Sequence, residues 1–120
     1  MKDSKALERK GEDIACKALK KNRYKIIEKN YRCRQGEIDI IAEDRDKVLC
    51  FVEVKAKSSF SFSLPEEALT RNKRKKLEAA AYSYISSKSL KPRDMRFDVV
   101  SVDLVKSECR IIKNAFEADM

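Results

Sequence analysis

KVLCFVEVKA, residues 47–56, is the most apolar run in the chain and reads as an interior β-strand, yet it sets Glu53 and Lys55 on one side of that strand. Side chains two residues apart share a face of a strand. Burying a carboxylate and an ammonium is costly unless each finds a partner. Two charges among Val, Leu, Phe and Cys are therefore either a plain ion pair or a device for chemistry.

The residues just upstream sharpen the choice. GEIDIIAE, residues 36–43, reads as the preceding strand, with Asp44–Asp46 as the polar turn between the two. Alternation puts Glu37, Asp39 and Ile41 on one face and Ile38, Ile40 and Ala42 on the other, so Asp39 is a second carboxylate inside an apolar strand. If Asp39 stands opposite Glu53, every pair across the hairpin sums to 92 and the loop is Arg45–Lys47. A slip of one residue would send the two carboxylates to opposite faces.

Further out, YKIIEKNY (24–31) reads as a third strand, and residues 5–22 as a helix whose stripe is Leu7, Ile14, Ala15, Ala18 and Leu19. Gly11 lies within that stripe, which implies close approach to a sheet, and Glu12 lies at its edge. After the serine-rich SSFSFS, Pro65 can open a helix that continues to about Ser87. KSLKPRD is a polar connection, and RFDVVSVDLV and ECRIIKNAF read as a final pair of strands. This order, α-β-β-β-α-β-β, implies an α/β sandwich with a mixed central sheet.

A chain of 120 residues with 42% hydrophobic content fits one domain with a modest core. Against 20 Asp and Glu stand 28 Lys and Arg, a formal charge of +8 that favours polyanionic partners such as nucleic acid. No run approaches the roughly 18 apolar residues of a membrane span, and MKDSKALERKGED is too charged for a signal peptide. A cytoplasmic protein without a membrane partner is expected. The four cysteines, 16, 33, 50 and 109, form no CxxC pair, and there is no histidine. That argues against structural zinc and redox motifs and for reduced, mostly buried thiols.

Two carboxylates directly opposite would have Cβ atoms about 5 Å apart and would repel. A divalent cation between them removes that cost, and hard oxygen ligands suit Mg²⁺ or Mn²⁺. Lys55 would point at the same place, able to orient or deprotonate a water or to neutralise a phosphate.

Asp39 followed by Glu53-Val54-Lys55 resembles the signature of the PD-(D/E)xK nuclease superfamily, which includes restriction endonucleases and Holliday junction resolvases. In order along the chain, GED (11–13), NYRCRQGEIDIIAED (30–44), FVEVKAK (51–57), RFDVVSVD (96–103) and NAF (114–116) more closely resemble the bacterial YraN-like family of predicted endonucleases. The resemblance implies a restriction endonuclease-like three-layer sandwich and metal-dependent hydrolysis of DNA phosphodiesters, with branched or junction DNA as a candidate substrate. It implies Asp39 and Glu53 as metal ligands, with Glu12 and the Val54 carbonyl completing the site, and Lys55 as the catalytic lysine. By analogy with resolvases, it also implies a twofold homodimer. The proline of the superfamily's name is absent, Ile38 standing before Asp39, and Phe62-Ser63 replaces a common Phe-Gly, which bears on substrate handling.

Lys73 interrupts the stripe of Leu69, Leu77, Ala80, Ala81 and Tyr84 and must snorkel or reach a buried anion. The family usually carries a lysine here as well, so Lys73 is expected to reach the active site or a phosphate. Arg32, Arg34, Lys57, Arg71 and Lys75 could form a phosphate-tracking surface, and Phe60 and Phe62 could stack on bases. Two rivals keep the fold without turnover: a non-catalytic nucleic-acid-binding module, and an interaction subunit whose strand charges are structural.

Overall fold

Apolar periodicity of 2 in the strands and of 3.6 in the helices sorts the side chains into two layers on either side of one sheet. The computed structural model describes residues 4–57, 69–91 and 93–117. In chain order these form α1 (Ser4–Lys21), β1 (Lys25–Cys33), β2 (Gly36–Glu43), β3 (Leu49–Lys57), α2 (Arg71–Ser87), β4 (Met95–Asp103) and β5 (Glu108–Phe116). The sheet order is β1-β2-β3-β4-β5. Neighbours are antiparallel except β3 and β4, which run parallel. The chain returns from β3 to β4 through α2, as a parallel pair requires. The result is the expected three-layer sandwich, a mixed sheet between two helices.

Under α1, Ala15 and Leu19 meet Ile40, Ala42, Cys50, Val52 and Val100; under α2, Leu77, Ala81 and Tyr84 meet Ile41, Leu49, Phe51, Phe97 and Val99. Successive residues of β3 alternate between these cores from Leu49 to Val52. The hairpin pairs Glu43 with Leu49 and Ile40 with Val52, the register that sums to 92, and the Asp44 N–H donates to the Val48 carbonyl to close the loop 45–47.

Several boundaries differ from the sequence reading, β3 among them, which begins at Leu49 rather than Lys47. The helix read from Pro65 is not continuous to Ser87. Residues 65–68 lie outside the described residues, and Leu69 and Thr70 are non-helical, with Thr70 extended (φ −66°, ψ 159°) as the N-cap of α2. Its hydroxyl accepts the Lys73 N–H at 3.1 Å, which sets the helix start. β4 stops at Asp103 rather than Val105 because Asp103 Oδ1 accepts the N–H groups of Val105 and Lys106 and turns the chain. β1 runs to Cys33, two residues past the expected end.

A further difference lies in β2. Ile38 packs in the α2-side core while Ile40 packs in the α1-side core, so the alternation expected to hold both on one face breaks at Asp39. β1 pairs Lys29 with Ile40 and Tyr31 with Ile38, leaving Asn30 and Asp39 between them, and Asn30 adopts φ 54°. A left-handed residue facing Asp39 rotates the ladder locally. The SSFSFS loop, with Phe60, Phe62 and Ser63, lies outside the described residues.

Candidate active site

Midway along β3, where the β2–β3 pairing stops at Val52, the two strands open. The Val54 N–H donates to the Asp39 carboxylate at 2.8 Å, so a side-chain oxygen takes the bond that a backbone carbonyl would accept in a continued ladder. Asp39 is thereby fixed beside Glu53, close enough for the two charges to interact. Burial first, and the Glu53 charge second, push the Asp39 carboxyl up to about 8. A pair of carboxyls this close holds a proton that an isolated aspartate would have lost.

Glu53 is 5% exposed, and one of its oxygens, Oε2, serves two ammoniums: Lys73 Nζ at 2.7 Å and Lys55 Nζ at 3.5 Å. The charges in the apolar strand do form an ion pair, and a second lysine joins from α2. Burial, and the Lys73 ammonium beside it, hold the Lys55 amine below its ordinary value against the pull of Glu53. For Lys73, burial opposes the charge but Glu53 outweighs it, and the ammonium is held above its ordinary value.

Helix α1 reaches the same place through Gly11. A Cβ built there would lie 2.7 Å from the Ala56 Cβ and 3.9 Å from Val54 Cγ1, so glycine lets the helix backbone touch β3, as its place in the stripe suggested. Glu12, the next residue, then faces a cleft of about 780 Å³ that Asp39, Glu53, Lys55 and Lys73 also line. Burial lifts the Glu12 carboxyl, and its hydrogen bond with the Asn30 side chain offsets part of that rise. Glu12 does not close a three-acid cluster: among the described residues no three His, Cys, Asp or Glu side chains are grouped to hold a metal ion. Asp39 and Glu53 are adjacent hard oxygen donors, a set that suits a Mg²⁺ or Mn²⁺ ion keeping several waters. Val54 lines the cleft beside them.

Of the basic residues expected to track phosphates, Arg32 lines the cleft and pairs with Glu37 at 3.3 Å on the exposed surface. Arg34, Lys57, Arg71 and Lys75 lie outside its lining, where Thr70, Asn72 and Lys76 stand instead. The sequence assigned no role at the site to Asn30, Thr70, Asn72 or Lys76, the last two lying in RNKRKK (71–76), which reads as the solvated face of a helix, because polar residues outside an apolar pattern carry no anomaly to notice. Asp98 did carry one, as a carboxylate within FDVV. It is 1% exposed and bound by Arg96, Tyr24 and the Asn114 N–H.

Among the described residues, no helix is long and apolar enough to cross a membrane. The four cysteines are free, Cys16 and Cys50 buried and the other two half-buried.

A family model described as uncharacterised protein family UPF0102 matches residues 11–102, a span that includes Glu12, Asp39, Glu53, Lys55 and Lys73. A UPF0102 protein of Syntrophus aciditrophicus is 45% identical over 109 residues, covering 89% of this chain and 85% of the relative. One from Geobacter sulfurreducens is 39% identical over 117 residues, covering 95% and 91%. Another, from Clostridium perfringens, is 44% identical over 110 residues, covering 88% and 89%.

Proposed function

Starting from a chain that belongs to the uncharacterised family UPF0102, we propose that it is a divalent-metal-dependent endonuclease acting on DNA, with branched or junction DNA as the substrate class. The observation that carries this reading is the convergence of Asp39, Glu53 and Lys55 on one cleft, the two carboxyls against each other and the lysine beside them. The order of these residues resembles that of the PD-(D/E)xK nucleases, and the net charge of +8 favours a polyanionic substrate.

Asp39 and Glu53 would hold the metal through oxygen atoms, with the Val54 carbonyl and Glu12 nearby. When bound, Mg²⁺ supplies Lewis acidity to the scissile phosphate. Lys55 Nζ, its amine held low by burial, takes a proton from the attacking water or, when charged, steadies the phosphate. Arg32 and Lys76, on the cleft wall, hold neighbouring phosphates.

The test is a calorimetric titration of Mn²⁺ into the parent and Asp39→Asn, followed by cleavage assays on duplex, flap and four-way-junction DNA. Saturable binding in the parent alone, and cleavage that Lys55→Ala loses at least a hundredfold, are expected. A parent that binds no Mn²⁺ sinks the metal site, and Lys55→Ala cutting at the parent's rate sinks the role of that amine. The ammoniums of Lys55 and Lys73 that already neutralise Glu53 favour a second reading, a nucleic-acid-binding module without turnover. It requires salt-sensitive DNA binding indifferent to EDTA and to Asp39→Asn.

A further inference from the structure

Two ammoniums share one oxygen of a nearly buried carboxylate, and they are not held alike. Lys55 stands two residues from Glu53 on the same strand, its side chain only 22% exposed. Lys73 enters from the first turn of α2, its backbone N–H held by Thr70, and its side chain is 46% exposed over the cleft. Lys73 also makes the shorter contact, 2.7 Å against 3.5 Å.

A divalent ion shared by Asp39 and Glu53 would sit among like charges. Unit charges a few ångströms apart in a partly desolvated site repel strongly, and the crowding is relieved when the more exposed ammonium leaves. Its stem is long and flexible, and its other surroundings are the open cleft with Lys76 and Asn72.

We infer that Lys73 is an exchangeable internal cation: it neutralises Glu53 while the site is free of metal, yields that carboxylate when the metal enters, and is released into the cleft where substrate phosphates lie. The inference rests on the metal reading of the same site. It makes metal binding a competition between a tethered ammonium and a free divalent ion, and couples metal entry to the appearance of a phosphate-binding charge.

The experiment is a calorimetric titration of Mn²⁺ alone into the parent, Lys73→Met and Lys73→Arg. Removing the competitor should tighten Mn²⁺ binding roughly three- to tenfold in Lys73→Met, while Lys73→Arg stays near the parent. In the unmutated protein, acetylation of Lys73 by acetic anhydride, followed by mass spectrometry, should quicken several-fold when Mg²⁺ is added. If Lys73→Met binds Mn²⁺ no more tightly than a parent that does bind it, Lys73 stays on Glu53 in the loaded site and the exchange is wrong. Unchanged Lys73 acetylation with Mg²⁺ overturns it as well. A parent that binds no Mn²⁺ overturns both the exchange and the metal reading beneath it.

Discussion

Asp39 holds its proton into the neutral range because its neighbours leave it no better choice. It is half-buried, it stands beside Glu53, and the Val54 N–H only partly compensates. Its folded-state value of about 8 lies above the ordinary 3.8, so its contribution to stability is complete below about pH 4 and is lost as the pH rises through 8. Asp39→Asn keeps the shape and removes that loss. In the absence of metal, the variant should exceed the parent in stability by about 1–3 kcal/mol at pH 8. The difference should shrink toward pH 4–5, as read by urea denaturation at each pH. A gap independent of pH would mean that the folded and unfolded chains ionise this group alike. Residues of this kind were visible in the sequence, because Asp39, Glu53 and Lys55 break apolar runs and such breaks are costly without a reason. Asn30, which faces Asp39 in the left-handed region and holds Glu12, was not visible, since an asparagine in a polar stretch breaks no pattern.

Among the elements, α1 depends most on a single residue. Glycine costs a helix about 1 kcal/mol relative to alanine, so on propensity alone Gly11→Ala should stabilise the protein. The structure reverses that sign, since the new methyl would press on Ala56 Cβ, a side chain with no flexible end to yield. Gly11→Ala should therefore destabilise by about 1–3 kcal/mol, and adding Ala56→Gly should recover part of the loss, a coupling measurable by a double-mutant cycle in urea. Additive effects would show that the helix can lift off β3 without cost. The stripe of α1 and its contact with the sheet were legible because period and glycine placement are local signals. The start of α2 was not, because proline at 65 and threonine at 70 are both sound helix openers. Only the hydrogen bond from Lys73 N to Thr70 decides for the second.

Across the whole molecule, the site stands midway along the central strands and a buried charge network stands at one end, where β3 and β4 begin. Arg96 Nη1 binds Asp44 at 2.9 Å, Nε binds Asp98 at 2.8 Å, and Nη2 donates to Tyr24 at 3.1 Å. Asp44 also accepts the Asp46 and Val48 N–H groups of the β2–β3 turn, and Asp98 accepts the N–H of Asn114 in β5. One guanidinium thus ties the start of β1, the hairpin turn, β4 and β5, at the end of β3 away from Glu53. Arg96→Met should cost on the order of 3–5 kcal/mol, because it leaves Asp98 buried without its cation. Where the protein remains folded, Mn²⁺ affinity should hold at the parent's value. A fall in affinity together with stability would mean that the site and this network are mechanically coupled.

By itself the sequence determined the order of elements, the mixed sheet and the candidates Asp39, Glu53, Lys55 and Lys73, and it gave the hairpin register on the condition that Asp39 stands opposite Glu53. Period, turn chemistry and charge in apolar runs are properties of residues a few positions apart, and they survive in one dimension. The tertiary structure alone decided that Ile38 changes face, that Glu12 meets the cleft without closing a cluster with the other two acids, and that Lys73 rather than Lys55 makes the short bond to Glu53. Those outcomes depend on where a left-handed asparagine, a glycine contact and a helix cap set neighbouring elements. A shift of an ångström there changes which charges meet, and no spacing along the chain records it.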